Sequence, residues 1–169
     1  MEPITWAFIG TLCGAAVGAL TSIATTTINS RNAASLQSAK TRDERDERRR
    51  AFQRETILQV QDCFHDLMRF SARIYLSDLE AYRTNKDWKK NRLGPDLDEG
   101  FRLQNQKLSC LVERVFDDNL RSELRSLHST VSSIAYSENR EHAEAIHHES
   151  ASQFTQTMKA LGEVLRSNY

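Results

Sequence analysis

Two pairs of residues carry metal-ligand spacing. Glu144 and His147 form an E-x-x-H pair, and Asp62 and His65 have the same i,i+3 separation. In carboxylate-bridged two-metal bundles, two such pairs face inward with two further carboxylates. Imidazole with carboxylate suits iron, zinc or manganese. Glu80 and Glu113 are the nominees for the extra ligands, although nothing in the sequence singles them out. The plainer reading is a polar helix face, because His142, His147 and His148 lie among Glu141, Glu144 and Glu149. Glu144 also lies off the apolar stripe drawn through His147. The polar face is adopted, so no metal ligand, cofactor or catalytic residue is assigned and the chain is read as non-enzymatic.

Other chemistry is sparse. Gly10, Gly14 and Gly18 are not followed by a lysine and a helix start, as a phosphate-binding loop requires, and no G-x-S-x-G elbow occurs. Cys13, Cys63 and Cys110 lack metal spacing, and Cys63 and Cys110 are expected as buried, reduced thiols. One candidate surface for an anion remains. It combines Arg48, Arg49 and Arg50 with a loop over residues 86–95 in which Trp88 precedes Lys89 and Lys90. Basic side chains attract anionic lipid headgroups, and an indole stacks on bases. A solvated helix and an ordinary turn explain the same residues, and nucleic acid ranks low as a partner.

Residues 4–28 must position everything else. They hold no charge, and Arg31 is the first basic residue after them. As a helix they would extend ~37 Å, enough to cross a ~30 Å hydrocarbon core. Ile4, Trp6, Phe8, Ile9, Leu12, Val17, Leu20 and Ile23 supply the apolar weight, whereas Thr11, Thr21, Ser22, Thr25, Thr26 and Thr27 dilute it. A cleaved signal peptide would need basic residues ahead of the apolar run, and Glu2 stands there instead. The remaining rival is a buried helix of a soluble protein. Within the span Gly10, Gly14, Gly18 and Ser22 recur every four residues, beside Thr11, Ala15 and Ala19. Small residues at that spacing let two backbones approach closely, so this face is expected to pair with another span or a second copy. Glycine is also simply frequent in membrane helices.

Charge is uneven. Residues 31–54 carry eight basic and four acidic residues, net +4, whereas residues 55–169 are net −3. The positive-inside tendency then places the N-terminus outside and residues 31–169 in the cytoplasm. Residues 31–54 read as a stalk, since 40–50 contain no apolar side chain, helped by i,i+4 pairs such as Glu44 with Arg48 and Asp46 with Arg50.

Beyond the stalk the periodicity is helical. Ile57, Val60, Phe64, Leu67, Ser71, Ile74 and Tyr82 share a face, and no Gly or Pro lies between Gly18 and Gly94. One nearly continuous helix to about Asn85 is therefore allowed. Asp96 with Glu99 reads as a capping box for the next helix. From Phe101 through Leu108, Val112, Phe116, Leu120, Leu124, Leu127 and Val131 to Ile134 one phase persists, favouring a single helix bent at 117–119. Ser137 is the expected N-cap of a last helix whose stripe is Ala143, His147, Ser150, Phe154, Met158, Leu161 and Leu165.

The fold class is all-α: a transmembrane anchor over 1–30, a charged stalk over 31–54, and an antiparallel three-helix bundle over 55–169, with four helices if the chain breaks at 117–119. The layout resembles that of uncharacterised small bacterial single-pass membrane proteins. The matching features are Gly10, Gly14 and Gly18, the Arg/Glu-rich run 42–54, and the helical segment 116–134. The resemblance implies a bacterial inner membrane and carries no activity. The functional expectation is a membrane-anchored interaction or scaffold protein. Its partners would be membrane lipid and either a second copy or a protein bound at the cytoplasmic face.

Overall fold

The computed structural model describes residues 3–88 and 94–167, with side chains from residue 10 onward. Its described elements are all helical: α1 (Pro3–Asn85), α2 (Pro95–Val112), α3 (Asp118–Ser133), a 3-10 turn (Ile134–Tyr136) and α4 (Arg140–Ser167). Two compact units divide the chain, Met1–Arg48 and Arg49–Tyr169.

The described residues of the first unit are helix alone. Its side chains from Gly10 to Arg48 are exposed, including Leu12, Val17, Leu20, Ile23 and Ile28. Among the described residues one helix is long and apolar enough to cross a membrane, by length and composition, with the apolar window near its N-terminal end. Thr21 and Thr27 donate their hydroxyls to the carbonyls of Val17 and Ile23, both at 2.8 Å, so part of the threonine polarity is absorbed within the helix.

The second unit holds the core. Ile57, Val60, Phe64, Leu67 and Ile74 of α1 are at most 1% exposed, as their spacing predicts. They join Leu108 and Val112 of α2, Leu124, Leu127 and Val131 of α3, and Leu161 of α4 in one cluster. Each large apolar side chain so buried contributes ~1.5–3 kcal/mol, a term that residues 40–50, lacking apolar side chains, do not have. Along α1, Gln53 meets Arg114, Cys63 meets Gln104, and Phe70 meets Gly100. On the α4 side, His65 meets Phe154 and Tyr75 meets His147. α1 ends where Lys86 turns to a positive φ of 60°, its N–H bonded to Tyr82 O at 2.8 Å.

Five expectations need correction. The span from Phe101 to Ile134 is two helices, so the alternative count of four helices holds. Asp117 adopts an extended ψ of 116°, and its side chain accepts the Leu120 N–H at 2.8 Å, starting a new helix. Phe116, read as in phase, is 55% exposed, and Val115 takes the buried place. The capping box does not form. Gly94 is the N-cap with Pro95 at the first helical position, and Glu99 instead receives two bonds from Arg102, each 2.8 Å. Asn139, not Ser137, caps α4, accepting the His142 N–H at 2.9 Å, while the Ser137 hydroxyl donates back to Ile134 O. Of the two cysteines expected inside, Cys63 is buried and Cys110 is exposed.

Candidate functional site

The small-residue face of the first unit is open. A Cβ placed on Gly10, Gly14 or Gly18 would meet nothing within 4 Å. Ser22 continues this face one turn on and is exposed. Its hydroxyl, unlike those of Thr21 and Thr27, makes no hydrogen bond among the described residues. The side chains of Ile4, Trp6, Phe8 and Ile9, which the sequence reading used for the same span, lie outside the described residues.

The basic candidates are dispersed. Arg48 reaches Glu44 at 4.0 Å, with the Arg48 side chain 82% exposed, so the pair is worth little. Asp46 and Arg50, the other expected stalk pair, make no ion pair. Arg49 lies in the second unit and sets its guanidinium 5.4 Å above the Phe116 ring. A cation–π contact of this kind covers a ring that the chain otherwise leaves exposed. Trp88 is half-buried. Its indole N–H donates to Ser137 O at 3.3 Å, and its ring lies near Tyr75 and Tyr82. Lys89 and Lys90 lie outside the described residues.

The two nominated metal-ligand pairs and the two extra carboxylates do not converge. His65 stands edge-on to Phe154 at 5.1 Å, and His147 stacks on Tyr75 at 4.7 Å with 9° between planes. These two contacts join α1 to α4 through rings. Glu144 pairs with Arg140 at 3.7 Å. Glu113 takes both nitrogens of the Arg125 fork at 2.7–3.0 Å, and that hydrogen bonding holds its carboxyl below the usual range. Among the described residues no three His, Cys, Asp or Glu side chains assemble as a metal site.

Reading the sequence missed the polar groups inside the second unit. Gln53 is only 5% exposed. Its Nε2 donates to Arg114 O at 2.8 Å, and its Oε1 accepts the Phe116 N–H at 3.0 Å. One amide thus satisfies both backbone groups where α2 stops and α3 begins. Asn105 of α2 plays a similar part higher up. It accepts from Ser132 and bonds His128 Nε2 at 2.8 Å, while its own Nδ2 donates to Phe101 O. Since a carbonyl oxygen only accepts, His128 is the donor there, and burial pushes its pKa down. Burial likewise pushes the Cys63 thiol up, with Lys107 opposing, and Cys63 Sγ lies 3.1 Å from Gln104 Oε1. Nothing in the local sequence marks Gln53 or Asn105, because the partners they reach on other elements are 23 to 63 residues away.

No family model, no curated protein and no solved structure matches the chain.

Proposed function

We propose that the chain is a single-pass membrane protein whose cytoplasmic helical bundle serves as an interaction scaffold, self-associating or holding a protein partner. The observation that carries this reading is the first unit. Among its described side chains the apolar residues and the glycine face are both exposed, and no second described element of its own covers either. Water penalises such a surface at ~25 cal/mol per Å², and a bilayer removes that penalty. In lipid the remaining gain comes from close backbone contact along Gly10, Gly14 and Gly18, with the Ser22 hydroxyl free to bond a neighbouring helix. The excess of basic residues over 31–54 orients the span with the second unit in the cytoplasm. In this reading α1 from Arg49 onward and α2–α4 form the antiparallel bundle, and the function is non-enzymatic.

The test is in-cell crosslinking of the tagged full-length protein after alkaline extraction of membranes. The chain should stay with the membrane and be captured as a multimer of itself or with one distinct protein. Release into the alkaline supernatant would overturn the anchor.

A second reading makes the stalk and the Trp88 loop a binder of anionic lipid or nucleic acid. Exposed Arg48 and Arg50 favour it, while Arg49 on Phe116 and Trp88 on Ser137 are already engaged. Steep loss of vesicle or nucleic-acid binding with added salt would support it.

A further inference from the structure

Within the second unit, the face of α1 turned away from the core is left uncovered by the other described elements. Ile57, Val60, Phe64, Leu67 and Ile74 point inward, and the residues on the opposite side recur at three-and-four spacing. Two of these are large and apolar: Leu58 is 48% exposed and Leu76 58%. A seam at this spacing is what one helix offers another. Charged side chains fill the rest of it, and they are sorted along the helix. Glu55 and Asp62 stand in the first half, and Arg69, Arg73 and Arg83 in the second, all exposed. Glu80 is the exception. Arg69 reaches back to Asp66 at 3.4 Å, whereas Asp62, Arg73 and Arg83 make no ion pair among the described residues.

That order selects the partner. Leu58 and Leu76 lie nine residues either side of Leu67. In a two-fold pair of antiparallel α1 helices centred there, each contact from one copy to the other is repeated in reverse. Leu58 then meets Leu76, Asp62 meets Arg73, and Asp66 meets Arg69, each twice. Toward the ends Glu80 falls between Arg54 and Glu55, and Arg83 lies within one turn of Glu55, so the charge there nearly balances. Parallel pairing would instead set Asp62 against Asp62 and Arg73 against Arg73, and like charges juxtaposed across an interface are costly. We infer that the outward face of α1 docks a second copy of this chain in antiparallel sense, Leu58 on Leu76 and Asp62 on Arg73. This rests on the self-associating form of the proposed scaffold and gives it a contact on the second unit, separate from the glycine face.

The test is light scattering on the full-length Gly14→Ile protein in mild detergent, where the glycine face is closed and two chains are free to take either sense. A concentration-dependent dimer is expected. Asp62→Arg and Arg73→Asp, each added to that background, should weaken the dimer at least tenfold. An equimolar mixture of the two should restore it, because each supplies the charge that the other has lost. Both positions are exposed, so the helicity of each variant should match the parent. A Gly14→Ile protein that stays monomeric up to ~0.1 mM would overturn this contact, and it would leave the glycine face standing if the wild type is a multimer. A dimer of the same mass for wild type and Gly14→Ile would support this contact and count against the glycine face alone. Single variants that dimerise like the parent, or a mixture that stays monomeric, would overturn the inference.

Discussion

Gln53 offers the sharpest perturbation, because one side chain serves two backbone groups at the only break between α2 and α3. Replacing it with alanine removes two hydrogen bonds, each a net ~0.5–1.5 kcal/mol, and leaves a carbonyl and an N–H unpaired in a partly buried link. Water reaches the link in part, since Phe116 is exposed, so the full desolvation penalty does not apply. The expected loss is ~2–4 kcal/mol. It should be read by urea unfolding of the full-length protein in mild detergent, with amide exchange measured at residues 115–120. Protection should fall first at Phe116 and Leu120. Gln53→Glu separates hydrogen bonding from packing. Its carboxyl keeps an acceptor for Phe116 N–H, and only when protonated can it donate to Arg114 O. Facing that carbonyl, its folded pKa rises above the ordinary ~4.3. Stability is then fully present below the ordinary value and is lost as pH rises through the folded value. A loss under ~0.5 kcal/mol for Gln53→Ala, within the range of inert surface changes, would refute the reasoning. So would a Gln53→Glu protein indifferent to pH.

Two further predictions concern packing and protonation. A Cβ on Gly100 would come within 2.6 Å of Phe70 Cζ, so Gly100→Ala should destabilise, its ~1–3 kcal/mol of overpacking exceeding ~1 kcal/mol of gained helix propensity. In a Phe70→Ala background the sign should reverse, measured by the same unfolding assay. The pKa of His128 is lowered by burial, so the unfolded chain binds a proton that the folded site resists. Stability should therefore fall as pH drops below the ordinary histidine value of 6.5. His128→Gln, which can still donate to Asn105, should flatten that slope in urea midpoints taken across the range.

What could be read from the sequence was what repeats along a single helix. The α1 stripe from Ile57 to Ile74 follows from three-and-four spacing, and each of its apolar members is buried. The glycine face follows from four-residue spacing, and its openness is seen directly. What escaped was set by partners distant in sequence. The phase from Phe101 to Ile134 survives the break because Val115 substitutes for Phe116 in the core, so periodicity alone could not reveal two helices. Gln53 was read as part of a solvated stalk, since its use depends on backbone groups 61 and 63 residues on.

The most direct test of the proposed scaffold is the mass of the full-length protein in mild detergent, measured by light scattering for the wild type and for Gly14→Ile. An isoleucine side chain at Gly14 fills the space that lets two backbones approach. The account predicts a multimer for the wild type and a shift toward monomer for Gly14→Ile. Equal masses for the two proteins would contradict it.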